Sequence, residues 1–467
     1  MRRFACLAAI FLGAFAVLFA AREPQADARM KNAHRRAEQN GWIFVHLEGS
    51  PAEIGFQHGA LLAKEIEDNK KALQLSLTHG SRDWAFWRAA AEQTLWPKVP
   101  SEYQAELKGI VEGLRSKGSK LDLWDITAMN AWLELSPYYV NWYDQSHKVN
   151  AAKRPTPEHC SAFVATGSFT RDGKPVIAHN NWSDYLNGSR WNIIFDVAPA
   201  SGHRFIMDGM PGLIHSGDDF GLNDAGIMIT ETTISQFNGF DPSGIPEFAR
   251  ARKAMQYSES IDDFARIMKD GNNGGYANDW LIADRKTGEI ASLELGLKNV
   301  NLWRTKDGYF AGSNYPIDPK LTSEETDFDI NNKSVSANAR RIRWDALMKQ
   351  NKGKIDAAAA QRFLADHFDT FESKEQPNER TLCGHIDLSP RGSKPWQPDY
   401  GPAGAVQSKV STADMASRLE LNAAFGHACG LHFKASQHLA KHPDFKWQKP
   451  LLKDVDSRPW TTFQAAR

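Results

Sequence analysis

The chain has 467 residues with 56 basic and 56 acidic side chains and therefore no formal net charge, which leaves no electrostatic footprint for nucleic acid or for an acidic membrane surface. Hydrophobic residues at 42%, charged residues at 24%, 34 Gly and 22 Pro exclude a disordered, collagenous or multi-span membrane chain. The length accommodates either about three domains or one large one.

At the N-terminus, Arg2 and Arg3 precede an uncharged apolar run over 4–21, and Ala26-Asp27-Ala28 supplies the small-x-small pattern of a signal-peptidase site. Residues 1–28 are expected to be a secretory signal, which makes the protein secreted or periplasmic, or directs it to a lysosome-like compartment in a eukaryote. An uncleaved anchor is the competing reading, because the run just reaches the length of a marginal spanning helix. Over 51–138, apolar residues recur at three and four, as in Ile54, Leu61, Leu62, Ile66 and again Leu107, Ile110, Val111, Leu114, which predicts helices. Beyond Cys160 the pattern changes to short β-rich runs broken by turn dipeptides. Phe163-Val164 and Val176-Ile177-Ala178 flank Arg171-Asp172-Gly173-Lys174 and read as a hairpin. The same grammar predicts a hairpin from 280–283 through Thr287-Gly288 to 290–295. It predicts another from Leu302-Trp303 through Asp307-Gly308 to Tyr309-Phe310. Helical periodicity returns at 246–269, 338–350 and 355–369, while 372–404 carries Pro and Gly without periodicity and reads as a long surface loop. Strands followed by helices, instead of alternating with them, place the chain in the α+β class. The expected division is a mainly helical segment over 29–159 and a β-rich core over 160–467.

Motif searches narrow the chemistry by what they lack. The sequence has no G-x-S-x-G elbow and no H-E-x-x-H helix. Gly167 to Lys174 has five residues between its glycines and Pro175 where a magnesium-binding hydroxyl belongs, so it is a turn and not a phosphate loop. His427, His432, His438 and His442 lack the accompanying Cys or carboxylate spacing of a zinc site. In a chain with 15 His they are expected to be structural or solvated, with no metal and no organic cofactor required. Asp218-Asp219 reads as turn and cap chemistry before an acid/base dyad.

Cys6 lies in the signal, leaving Cys160, Cys383 and Cys429 in the mature chain. An odd count in an oxidising compartment pairs two cysteines and leaves one over. Cys383 and Cys429, both in the C-terminal quarter, are the expected disulfide. Cys160 is the odd one, at the first residue of the first strand after a helical segment. A cut before it would make it a chain terminus whose α-amino group, with a reference pKa of roughly 7.7–8.0, can act as general base for its own thiol. One residue then supplies nucleophile and base. Considered alone, the same cysteine also reads as a small buried apolar residue at a strand start.

The run Glu48-Gly49-Ser50-Pro51-Ala52-Glu53-Ile54-Gly55-Phe56-Gln57-His58-Gly59 is followed by Cys160-Ser161-Ala162, Ala178-His179-Asn180-Asn181-Trp182, Pro211-Gly212-Leu213 and Asp218-Asp219-Phe220. Tyr276-Ala277-Asn278-Asp279-Trp280 and Gly312-Ser313-Asn314-Tyr315-Pro316 come next. In this order the set resembles the phospholipase B-like proteins, which are N-terminal-nucleophile (Ntn) hydrolases related to the penicillin acyltransferases and choloylglycine hydrolases. The resemblance implies a four-layer αββα sandwich of antiparallel sheets and autocatalytic cleavage between His159 and Cys160, with 29–159 released as the smaller fragment. It implies Cys160 as nucleophile, His179 and Trp182 as the pair closing the second strand beside it, and Asn278 as a donor to the oxyanion. One of Arg340, Arg341 and Arg343 is expected to enter the site, with Arg341 favoured. The implied activity is hydrolysis of an ester or amide bond in a small acyl substrate, a phospholipid or an N-acyl amide, with peripheral membrane contact open. An acyltransferase or an amidase on small N-acyl compounds would use the same residues, and 15 Trp and 10 Tyr also suit an inactive lipid- or glycan-binding protein.

Overall fold

The computed structural model describes residues 27–79, 82–156, 160–217 and 220–466. The apolar run of the expected signal and the Asp218-Asp219 pair lie outside the described residues. In chain order the strands are β1 (His34–Arg35), β2 (Ile43–Gly49), β3 (Ser161–Thr166), β4 (Val176–Asp184), β5 (Ile193–Pro199), β6 (Phe205–Gly209), β7 (Gly221–Asn223), β8 (Ile227–Thr233) and β9 (Asn278–Asp284). They continue as β10 (Glu289–Leu295), β11 (Val300–Thr305), β12 (Gly308–Gly312), β13 (Phe368–Asp369), β14 (Lys374–Glu375), β15 (Ala403–Thr412), β16 (Glu420–Phe425) and β17 (Thr461–Gln464). One nine-stranded sheet has the order β1-β2-β5-β6-β7-β8-β9-β10-β11, and a six-stranded sheet has the order β12-β3-β4-β15-β16-β17. Neighbours run antiparallel, except that β2 lies parallel to β5 with Ile43 opposite Ile193.

The side-chain period of two sorts each strand between two cores. In β3, Ala162 and Val164 join the layer between the sheets, together with Ile177, Ile194, Leu281 and Leu421. Phe163 and Ala165 instead pack on Trp344, Leu347 and Met348 of the helix Ser336–Gln350. In β5, Ile194 faces the inter-sheet layer while Ile193 and Phe195 face the helices on the far side of the large sheet. The result is the expected αββα order of layers, each sheet burying one face on its partner and the other on helices.

The helical layer over the large sheet is built on an unusually close pair. The helix Pro51–Leu61 starts with a capping box, in which the Ser50 hydroxyl accepts from the Glu53 amide and Glu53 accepts from the Ser50 amide. It lies against the helix Ser101–Ser116 with glycines on both sides of the contact. A Cβ at Gly55 would stand 1.9 Å from the Glu106 carbonyl oxygen, and one at Gly113 would stand 2.1 Å from that of Phe56. Only glycine permits that backbone approach. The segment before residue 160 also supplies β1 and β2 to the large sheet, which helical periodicity alone does not announce.

Two expectations need correction. The runs at 302–303 and 309–310 are not a hairpin: β11 pairs with β10 in the large sheet, whereas β12 pairs with β3 in the small one. The Asp307-Gly308 turn therefore carries the chain between sheets, fixed where Asp307 Oδ1 accepts from the Ser168 amide at 2.6 Å. The stretch 372–404 is not a surface loop either, since Asn378, Glu379, Arg380, Thr381 and His385 are buried. Their polar groups bond one another: Arg380 donates to Asp369 at 2.7 Å and to Glu372 at 2.5 Å. Among the described residues no helix is long and apolar enough to cross a membrane.

Candidate active site

Strand β4 sets the two sides of the site. Ala162 of β3 stands opposite His179, and Ser161 opposite Asn180. Ile177 faces the inter-sheet layer and Ala178 the outer helices, so alternation sends His179 and Asn181 inward and Asn180 and Trp182 outward. Cys160, fully buried, precedes β3 with φ at 88°, a backbone conformation that costs a non-glycine residue on the order of 1–3 kcal/mol. Its Sγ lies 4.0 Å from Asn181 Oδ1. The sulfur, an imidazole nitrogen of His179 and a carboxylate oxygen of Glu231 all lie within 4.8 Å of one another, and all three residues are buried.

Glu231, on β8, is tied from below. The Tyr276 hydroxyl donates to its Oε1 at 3.2 Å and lies 2.6 Å from Thr233 Oγ1. Burial, then the Glu231 charge, push the Tyr276 phenol well above its ordinary range, so it stays a donor. In the amide orientation that satisfies its neighbours, Asn278 donates to Glu231 Oε2 at 2.9 Å and to the Ala277 carbonyl at 3.0 Å. The structure thus gathers Cys160, His179, Asn181, Glu231, Tyr276 and Asn278 at one end of the sandwich.

Arg340, not the expected Arg341, reaches this place. Its Nη1 donates to the Cys160 carbonyl at 2.5 Å and to Ser161 Oγ at 3.1 Å, and its Nη2 donates to Asn314 Oδ1 at 2.9 Å. Its guanidinium lies 4.3 Å from the centre of the Trp182 ring. Arg341 lies 4.2 Å from the Tyr315 ring centre, and Arg343 pairs with Asp366. Trp182 is accordingly a support beneath Arg340 on the outer side of β4, packed so tightly that a Cβ at Gly384 would stand 2.2 Å from its ring. Glu231 is a residue that the sequence does not single out, and Arg340 is one of the three candidate arginines, ranked there behind Arg341.

Behind Cys160, a second buried polar group crosses between the sheets. Lys409 of β15 stands opposite His179, and Gln407 opposite Asn181. Both donate to Asp208 Oδ2, at 3.1 and 2.6 Å, and Ser216 Oγ donates to Asp208 Oδ1 at 3.0 Å. Lys409 and Asp208 side chains are both fully buried.

The expected disulfide is absent: Cys383 and Cys429 are free thiols. Their sulfurs face His385 Nε2 at 3.6 and 3.4 Å, beside His367. Of the C-terminal histidines, His427 bonds the Tyr185 hydroxyl and the Leu431 carbonyl at 3.0 Å each, and His442 stacks on Tyr400. Among the described residues, three side-chain groups offer ligand atoms close enough for a cation: the Cys160 set, the set of His367, Cys383, His385 and Cys429, and the set of His385, Asp387 and His427. In the first, the Arg340 guanidinium already supplies a positive charge next to Cys160.

A cleft of about 610 Å³ is lined by Tyr138, Trp142, Phe237 and Phe240 and by the segment from Ala151 to Lys153 with Thr156. The Tyr138 ring centre is 6.3 Å from that of Tyr276, which puts the cleft one aromatic residue away from Glu231.

Two stacked sheets between helical layers, with buried polar chemistry where β3 and β4 begin and end, define an α+β four-layer sandwich. Within that class the chain belongs to the phospholipase B family, whose description as Phospholipase B matches residues 63–303. An uncharacterized protein of Archaeoglobus fulgidus is 27% identical over 251 residues, 50% of this chain and 40% of its own length. The putative phospholipase B-like 2 of Mus musculus is 25% identical over 317 residues, 59% of this chain and 52% of its own. The chain thus spans about half the length of these curated relatives. Phospholipase B of Crotalus adamanteus is 24% identical over 420 residues, 80% of this chain and 73% of its own. Among solved structures, a mutant of the conjugated bile acid hydrolase of Clostridium perfringens matches 66% of this chain and 97% of its own at 10% identity and a TM-score of 0.32. Penicillin V acylase of Agrobacterium tumefaciens matches 56% and 82% at 12% identity and a TM-score of 0.30.

Proposed function

We propose that this chain is an exported acyl hydrolase that opens an ester or amide bond with the Cys160 thiol, after cleavage of its own peptide bond between His159 and Cys160. The observation that carries the reading is the buried convergence of Cys160, His179 and Glu231 within 4.8 Å. Family membership supports the hydrolase class. In the joined chain Cys160 has no exposed surface, as suits a precursor closed to substrate.

In the proposed maturation, the Cys160 sulfur adds to the His159 carbonyl carbon while His179 takes the thiol proton. The His159–Cys160 C–N bond then breaks as that proton is delivered to the Cys160 nitrogen. Water hydrolyses the resulting thioester, which regenerates the thiol and leaves a free α-amine. The positive φ at Cys160 favours the step because the strain is relieved on cutting. In turnover the α-amine takes the thiol proton, the thiolate attacks the acyl carbonyl, and the proton passes to the departing alcohol or amine. Asn278, held by Glu231, exchanges its bond to the Ala277 carbonyl for one to the oxyanion, while Arg340 fixes the Cys160 carbonyl. The aromatic cleft beside Tyr138 takes the acyl group. Part of its wall is the segment leading to the cut, so cleavage also frees the entrance.

Intact-mass measurement on the purified chain tests this together with assays on phospholipids, N-acyl amino acids and N-acyl amines. The expected result is two fragments meeting at residue 160 and hydrolysis of at least one substrate class. Wild-type activity in Cys160→Ala on any of them would overturn the mechanism.

A further inference from the structure

We propose that His367, Cys383, His385 and Cys429 form a tetrahedral structural zinc site. Their ligand atoms all lie within 4.8 Å of one another. His385 Nε2 is 3.2 Å from His367 Nε2, 3.6 Å from Cys383 Sγ and 3.4 Å from Cys429 Sγ. A single ring nitrogen can share only one proton, so hydrogen bonding satisfies just one of these three approaches. A central ion satisfies all of them. With Zn–S near 2.3 Å and Zn–N near 2.0–2.1 Å, the edges of a tetrahedron come to roughly 3.35 Å between nitrogens and roughly 3.55 Å between nitrogen and sulfur, close to the separations found.

The set leaves no open position, which is the mark of a structural site and not a catalytic one. Zn²⁺ displaces one proton from each thiol, and two thiolates with two neutral imidazoles then give a neutral site in a largely buried place. The ligands are packed against an ordered polar neighbourhood. The His385 ring stacks on His427 at 4.2 Å, His427 Nε2 lies 3.0 Å from the Tyr185 hydroxyl, and that hydroxyl donates to Asp387 at 2.8 Å. The Leu431 amide donates to Cys429 Sγ at 3.5 Å. Cys383 and His385 are buried, whereas His367 and Cys429 are partly exposed and leave an entry path.

The place in the fold gives the ion its task. Asn180, on the outer face of β4, donates to the Leu364 and Leu382 carbonyls at 2.8 Å each, and Gly384 packs on Trp182. A metal there ties the irregular 366–385 segment to the turn at Cys429 and so backs the Trp182 and Arg340 support of Cys160.

Metal analysis of the purified full chain, expressed with zinc supplied, is the test. About one zinc per chain is expected, retained through dialysis in wild type and in His442→Ala and lost in Cys429→Ser and His367→Ala. Chelation is expected to lower the melting temperature of wild type. Wild-type protein reloaded with cobalt should show the strong visible bands of tetrahedral cobalt with thiolate charge transfer, a readout that needs no variant to fold. Wild-type protein that takes up neither zinc nor cobalt, or non-reducing peptide mapping that joins Cys383 to Cys429, would overturn the proposal.

Discussion

The cysteines of this chain occupy two neighbourhoods built from different kinds of partner. Around Cys160 the groups are unlike one another: an imidazole, a carboxylate and two amides. Around Cys383 and Cys429 they are alike, two imidazole nitrogens facing two sulfurs. Unlike groups can pass a proton along and hold a developing charge, whereas like donors can only divide a shared cation. The difference lies in what surrounds each thiol, and a count of cysteines does not reveal it.

The comparison breaks most completely at Cys160 itself. Cys160→Ala should remain one uncut chain by intact mass and lose acyl hydrolysis by at least about 10⁴-fold, the scale of removing a nucleophile, while Cys429→Ser keeps the cut. Next in size is the polar bridge behind Cys160. Lys409→Met removes the Lys409 cation from the buried Asp208 carboxylate and should cost about 3–5 kcal/mol of stability in urea unfolding. An unchanged midpoint would show that Asp208 is not charged there.

Asn278→Ala should leave the fold intact and lower turnover by about 100-fold, the usual effect of one lost oxyanion donor. A loss seen only in KM would move Asn278 from oxyanion to substrate binding. The last effect is one of pH. Burial first, then the neighbouring Asp279 charge, hold the Glu294 carboxyl up at about 8 against an ordinary 4.5. The folded chain keeps that proton after the unfolded chain has given it up, so stability should fall as pH rises from about 4.5 to 8 and level off above. Glu294→Gln should flatten that slope, and an unchanged slope would remove Glu294 as its source.

The alternation of β3 and β4, the 280–295 hairpin and the later helices were legible because period two and period three to four survive in single sequences. A turn dipeptide, however, reads the same whether its strands share a sheet or not, so the crossing at Asp307-Gly308 was hidden. Polarity at 378–385 looked like solvent exposure because composition does not show partners such as Asp369 for Arg380. Arg340 carried a usable signal: it stands four and seven residues before Trp344 and Leu347, on the face that packs against β3. Glu231 shared the parity of Ile227 and Ile229 in a buried strand. The histidine and cysteine set had little to find, since His367 and Cys429 are far apart in sequence and only Cys383-Gly384-His385 is local.

The position of β2 changes what the proposed maturation would mean. It lies inside the large sheet, its seven residues in parallel register with β5 from Ile43 opposite Ile193 to Gly49 opposite Pro199. If the chain is cut before Cys160 as proposed, the two sides of that ladder belong to different polypeptides, and the molecule that folds is then not the molecule that works. While joined, the connecting chain makes the meeting of β2 and β5 intramolecular. Afterwards the same meeting is bimolecular, and an unfolded mature protein recovers in proportion to its own concentration. A pair formed in that way would be kept by the slowness of its separation, an inheritance from a covalent bond that it would no longer have.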